Sequence, residues 1–473
     1  MPDNKHSGIT PSVPPRRSEG DRLARAGLLS VVLATTLGFG LNSSVPAEMR
    51  ELYYAIWSAV MLGGILILLV SIQWVPVRGH DQVHDGPTQE KQTFRASNEA
   101  SGWWIPAIVL CSTLYMSLPT LLSFVLGILL VVTVAYGRRW FGRVSPFLIL
   151  TLAASGLMIH TIHEMNLQPG YGGMDLLPIT VAAMRHAAAG IDPYSADYST
   201  ITPNPFFYLP LQWLLYLPFD LAGVNLRWVN FGAWLAIIGL FEGLVTKADD
   251  PPAARVMVYA ILFSQPVFQA MDTQVLPMWA LLAQFMVLLL RNRLALAAFF
   301  CGCLLAASQL MLVVGALTGV YFMRVLPLKR FLPLGALVVG VSALIFMPFV
   351  LISPRFLFTV YVERPHIAIA LWEFHRNAAN SVSLTNLLFH LGLRSIGTAI
   401  QIMVVLAGIG LVFLRPPATK AGLIYLMGIV FLCAVALNGQ ILRYYYYPAL
   451  LMIAFGAGLL RWHSGQGDVA SEG

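Results

Sequence analysis

The sequence predicts an all-α, polytopic membrane protein, and three observations carry that prediction. The first is composition: 58% of the 473 residues are hydrophobic, only 11% are charged, and the mean hydropathy is +0.72. A soluble core of this size has no use for so much apolar side chain. The second is that apolar runs able to cross a hydrocarbon layer roughly 30 Å thick recur along the whole chain. Each is bounded by charge, Pro or Gly, as membrane helices are. The third is that basic residues gather in short loops beside those runs, where loop charge orients a membrane protein. The net charge of +7 therefore reports topology and not a nucleic-acid partner.

Residues 1–22 are polar and rich in Pro, Arg and Ser, and read as a disordered cytoplasmic tail. Apolar segments follow at 24–42, 53–75, 103–118, 119–137 and 145–162, with the hydrophilic stretch 77–101 between the second and third. The run Gly137 to Arg143 is short, strongly basic and carries Trp140, which assigns it to the cytoplasm. The same rule puts Arg291-Asn292-Arg293, Arg324 with Lys329 and Arg330, and Arg415 with Lys420 on that side. Between Arg293 and Arg324 only a tight pair of short helices returns the chain to the same face, so a broken hairpin is expected there. Between Arg143 and Arg291 there are five candidates, at 145–162, 207–222, 224–245, 255–271 and 274–290. An even number of crossings is required, so one of them is re-entrant or interfacial. The whole count is about 11–14 membrane helices.

This count leaves residues 161–206, 353–394 and the turn from Asn438 to Arg443 on the outer face. Arg355, Arg364, Arg376 and Arg443 then stand where basic residues are normally scarce. A guanidinium fork matches phosphate oxygens, so a phosphate at the outer leaflet gives these charges a reason; contact with lipid headgroups is the plainer alternative. The four cysteines, Cys111, Cys301, Cys303 and Cys433, sit inside apolar runs and read as small buried hydrophobes. The acidic pair Asp249-Asp250 lies beside Pro251-Pro252 without nearby His and reads as a solvated turn, so no metal and no cofactor is expected.

The outer loop 161–206, with its approach, gathers His160, His163, Glu164, Asp175, Arg185, His186, Asp192 and Asp197, a dense ionisable set in a charge-poor chain. Asp175 opens an amphipathic helix whose Leu177, Val181, Met184 and Ala188 follow i, i+4, i+7, i+11 spacing, with Gly190 suited to its end. Such an outward-facing helix is expected to lie flat on the membrane. Asp is a favoured N-cap, and a carboxylate at a helix N-terminus stays ionised, able to take a proton from a hydroxyl. Asp192-Pro193-Tyr194 then makes a turn, and Asn204 to Leu211 leads aromatic-first into the next apolar run.

In order and spacing these pieces resemble glycosyltransferase family 87. The Asp before a helix ending in Ala188-Ala189-Gly190, Asp192-Pro193-Tyr194, Phe206 to Leu211 and Leu215 to Phe219 carry the resemblance. Thr273-Gln274, the run Asn380-Ser381-Val382-Ser383-Leu384, and Arg443-Tyr444 with Tyr447-Pro448 extend it over residues 145–461. The resemblance implies a GT-C fold, a polyprenyl-phosphate sugar donor and a lipid or cell-envelope glycan acceptor at the outer face of the cytoplasmic membrane. It implies Asp175 as catalytic base and marks Tyr194, Tyr208, Gln274 and Asn380 as substrate-binding candidates. Two features depart from the family: residues 23–144 form an extra four-helix module, and Gln309 stands where many members carry a Lys.

The donor already carries a good leaving group, so an enzyme must supply a base for the acceptor hydroxyl and positive charge for the departing phosphate. Arg364, Arg376 and Arg443 suit the second task, with His366 and His375 as weaker candidates. A single displacement would invert the anomeric centre. A flippase or carrier for a lipid-linked saccharide would also want outward arginines and broken helices, but the two halves show no convincing self-similarity. A glycan polymerase or ligase lacks the order Asp, helix, Asp-Pro-Tyr. Residues 462–473 read as a cytoplasmic C-terminal tail, and neither donor sugar nor acceptor is specified.

Overall fold

The computed structural model describes residues 19–40, 45–77, 104–117, 122, 125–133, 146–167, 176–201, 206–245, 252–353, 356–363, 382–393, 396–438 and 443–460. Among them the chain is mostly helical, with no strand. Helices α1 (Glu19–Gly40), α2 (Arg50–Ser71) and α3 (Trp104–Ser117) precede a helical stretch at 125–133. Then come α4 (Pro146–Leu167), α5 (Leu176–Ala188), α6 (Pro210–Leu214), α7 (Leu217–Leu221), α8 (Leu226–Val245), α9 (Pro252–Leu262), α10 (Gln265–Gln269) and α11 (Leu276–Leu290). The chain continues through α12 (Leu294–Ala307), α13 (Met311–Val325), α14 (Leu328–Ile352), α15 (Leu384–His390), α16 (Gly397–Leu414), α17 (Lys420–Ala436) and α18 (Tyr446–Leu459).

Among the described residues four helices, α2, α4, α14 and α16, are long and apolar enough to cross a membrane, or six spans if each of two bent helix pairs counts as one. Their surfaces agree with that reading. Helix α14 buries none of its 25 residues, and Leu344 on it and Leu414 on α16 are each 74% exposed. Apolar stripes of this length are a liability in water and carry no penalty against acyl chains. The centre of the bundle is dense instead. Every residue of α17 from Ala421 to Ala436 is buried. It meets α18 so closely that a Cβ on Gly428 would stand 2.7 Å from Ile453 Cγ1, a contact only glycine permits.

Polar contacts sort the helix ends into two sets. Arg291 donates to the Gly243 carbonyl at 2.6 Å, Lys420 bonds Asn292, Arg324 lies over the Phe413 ring at 5.0 Å, and the Ala418 N–H donates to Pro76 O at 2.8 Å. Three of the basic loops expected on one side, at Arg291 to Arg293, at Arg324 and at Lys420, therefore meet at one end, while Gly137 to Arg143 lies outside the described residues. Near that end, Glu242 on α8 bonds Arg255 and Tyr259 on α9, each at 3.0 Å. At the other end Asn166 meets Asn225 and Arg227, and Thr385 donates to the Asn438 carbonyl at 3.0 Å.

This arrangement identifies the odd segment between Arg143 and Arg291. Residues 207–222 form α6 and α7, five residues each, and the pair is bent by 118° from α8. Tyr208 at its start is bonded to Tyr194, and Asn225 just after it is bonded to Asn166. Both ends of the segment are thus fastened to the same end of the bundle, so it does not cross. The expected hairpin is present as α12 and α13, of 14 and 15 residues. At 1.5 Å per residue each is about 21–23 Å long, short of a roughly 30 Å layer. Gln309 at its tip donates to the Val360 carbonyl at 3.3 Å.

Candidate functional site

The end away from the basic loops carries its own small core. Leu177, Ile179, Val181 and Met184 of α5 pack with Tyr194, Phe206, Trp213, Tyr216 and Phe356. Helix α5 starts at Leu176, directly after Asp175, and closes at Gly190, whose φ of +76° lets the Ile191 N–H return to the His186 carbonyl at 2.8 Å. The helix differs in one respect from the sequence reading: Leu177, Val181 and Met184 are buried in protein, while Ala188 is exposed. Its apolar stripe is covered by protein, because the aromatic run after Asp192 folds back over it. His160, His163 and Glu164 also differ, since they ride on the last turns of α4 and not in a loop.

The Asp192-Pro193-Tyr194 turn is locked by its own side chains. Asp192 accepts from the Tyr194 N–H at 2.9 Å and from the Ser195 hydroxyl at 2.5 Å. Tyr194 donates to the Tyr208 carbonyl at 2.8 Å, accepts from the Trp213 indole at 3.3 Å, and sets its ring against Phe356 at 4.5 Å, tilted by 53°. Burial raises the Tyr194 and Tyr198 phenols above their ordinary range, so both stay protonated donors. Asp197 moves the other way, held below the usual carboxylate range by the Ser199 N–H and hydroxyl.

Beneath this cap the run from α9 through α11 is broken. Residues Gln265–Asp272 and Leu276–Leu290 meet at 120°, and the break frees backbone carbonyls inside the protein. Asn230 on α8 supplies the missing partners: its amide donates to the carbonyls of Met271 and Thr273, each at 2.7 Å, and its oxygen accepts from the Tyr216 hydroxyl. Beside it Arg227, 1% exposed, grips Asp272 Oδ1 through two nitrogens at 2.8 and 2.7 Å and Asn166 at 2.6 Å. Gln274 completes the junction by accepting from the Thr180 hydroxyl of α5 at 2.6 Å.

No family model, curated protein or solved structure matches the chain. The site is therefore read from its own geometry.

Of the candidates named from sequence, Tyr194, Tyr208 and Gln274 fall on described residues, all at this end. The Tyr194 hydroxyl is committed within the protein, Tyr208 is half-buried between the two cores, and Gln274 is 1% exposed. Arg443 begins a short 3-10 turn beside α18, its side chain not described. Asp175, Arg355, Arg364, His366, His375, Arg376 and Asn380 lie outside the described residues. Sequence reading missed Arg227, Asn230 and Asp272. Arg227 and Asp272 stand at the edges of apolar runs, where a charge looks like an interfacial anchor. The usable signal was that two unlike charges, 45 residues apart, each stand at the edge of an apolar run. Among the described residues no group of three His, Cys, Asp or Glu could hold a metal.

Proposed function

We propose that the protein is a membrane glycosyltransferase that moves a sugar from a polyprenyl phosphate to a lipid or glycan acceptor at the outer membrane face. The observation that supports this most is the Thr180–Gln274 bond, with the resemblance to family 87 behind it. Thr180 sits on the helix that begins after Asp175, and Gln274 sits at the break that opens α11. Two pieces of the resemblance, 94 residues apart, are thus in contact. In this reading Asp175 takes the proton of the acceptor hydroxyl as its oxygen attacks the anomeric carbon. The phosphate leaves from the opposite face onto outer arginines, with inversion. Purified protein incubated with radiolabelled polyprenyl-phosphate sugars and membrane acceptors should label product from one donor. Failure with every donor would remove the enzyme reading.

The two bent helix pairs favour a second reading, a carrier for a lipid-linked saccharide, since broken helices recur in transporters. Movement of a labelled lipid-linked sugar across proteoliposomes without any transfer would select it.

Orientation has its own test. A cysteine at Asp197, which is exposed and outside every helix, should react in intact cells with an impermeant thiol reagent. A cysteine at Arg291 should react only after the inner face is opened. The reverse pattern removes the topology and the site built on it.

Phosphate recognition is expected to rest on guanidinium forks, which a lysine replaces poorly. Arg364→Lys or Arg376→Lys should raise KM for the donor about tenfold or more with the fold intact. Unchanged donor kinetics in both, and in Arg443→Lys, would return these residues to headgroup contact.

A further inference from the structure

The resemblance gives residues before 145 no part in the reaction, yet one of their helices reaches a piece that carries it. Helix α2 buries Tyr54, Ser58, Met61, Ile65 and Leu68, at i, i+4, i+7, i+11 and i+14, so one stripe faces the protein. One member of that stripe is polar. Ser58 is 0% exposed, and its hydroxyl oxygen accepts from the Ser383 N–H at 3.0 Å. Helix α2 is itself held in place. Near its cytoplasmic end Ser71 shares a hydrogen bond with Tyr425 of α17 at 2.5 Å. Along its length it meets α1 so closely that a Cβ on Gly64 would stand 2.9 Å from the Gly27 carbonyl oxygen.

Ser383 needs that acceptor. It opens α15 as N-cap in an extended conformation, φ −163° and ψ +161°, and its own hydroxyl oxygen takes the Asn386 N–H at 3.0 Å. That side chain is committed to the helix, so the buried Ser383 N–H must be met from elsewhere. Its neighbours are fixed as well. The Tyr446 hydroxyl of α18 donates to the Val382 carbonyl at 2.9 Å, and Thr385 donates to the Asn438 carbonyl. Three elements thus set where α15 begins, and only α2 among them lies outside the resemblance. Asn380, a substrate-binding candidate, stands two residues before Val382, within about 7 Å of chain. We infer that Ser58 is a positioning residue: through Ser383 it sets the start of α15, and with it the place from which Asn380 meets the donor. The inference rests on the transferase reading and gives α2 a part in donor recognition without contact to the donor.

The experiment is a double-mutant cycle on the full chain in lipid nanodiscs, read by transfer and by hydrogen exchange over residues 380–390. The donors are radiolabelled polyprenyl-phosphate mannose, glucose, galactose and arabinose. Ser58→Ala should raise donor KM about tenfold with kcat nearly kept. In an Asn380→Ala background the same change should add no further loss, because Ser58 acts through Asn380. Exchange at 382–386 should rise in Ser58→Ala. Unchanged KM in folded Ser58→Ala, or losses that multiply in the double variant, overturn the inference, leave Ser58 a core serine and keep the transferase. If Ser58→Ala unfolds, Ser58→Cys takes its place, since a thiol is a weak acceptor of similar size. Failure of both to fold makes the hydroxyl structural and removes the inference. Exchange that rises in the variant while the wild type transfers from no donor keeps the hold of α2 on α15 and removes the transferase. Exchange that does not rise overturns the hold itself.

Discussion

Asp175→Asn is expected to lower sugar transfer by about 10²–10⁴-fold while leaving the fold and donor binding intact. The substitution separates two roles of one carboxylate. Asn caps a helix about as well as Asp, and α5 begins at the next residue, so the helix should persist. An amide has no basic lone pair for the proton of an attacking hydroxyl, so the chemical step should slow while KM for the donor stays. Helix content by circular dichroism and thermal unfolding give the structural arm, and single-turnover transfer gives the chemical one. Near-normal transfer would leave Asp175 a cap only. A collapse in stability would show that the carboxylate holds the loop rather than the proton.

The second large effect falls on stability. Arg227 and Asp272 are 1% and 5% exposed at their side chains, and neither charge reaches water once its partner is gone. Asp272→Leu or Arg227→Met should each destabilise the protein by about 3–5 kcal/mol, the usual result of stranding one member of a buried pair. The double variant should recover a large part of that loss, because two apolar side chains strand no charge. Thermal unfolding in a mild detergent reads all three. Single variants as stable as the wild type would mean that the break at 270–275 is held by Asn230 alone. That residue's two bonds to freed carbonyls are the remaining candidates.

Much of the fold is written in local sequence. The hydrocarbon layer demands that each crossing pair its own backbone, so long apolar runs must be helices, and α2, α4, α14 and α16 follow. The described basic loops at Arg291, Arg324 and Lys420 sort to one end because arginine and lysine are costly to move across. The same local rules gave the helix after Asp175 and its end at Gly190, where a positive φ favours glycine.

Other features were decided only by contacts between distant residues. Hydropathy does not distinguish Pro210–Leu221 from a span, because an interfacial helix pair and a crossing bury similar side chains. Only the bonds from Tyr194 to Tyr208 and from Asn225 to Asn166 fix both of its ends on one side. The burial of the α5 apolar stripe in protein needed the aromatic run beyond Asp192 to cover it, which no window over residues 176–188 contains. Arg227 and Asp272 are 45 residues apart, each at the edge of an apolar run that would place it by itself at an interface. Sequence alone determined the helices, their apolar character and which loops share an end, because those follow from the solvent each residue demands. Tertiary structure alone decided where the chain turns back and which charges are buried, because a polar group's environment is set by the partner that reaches it.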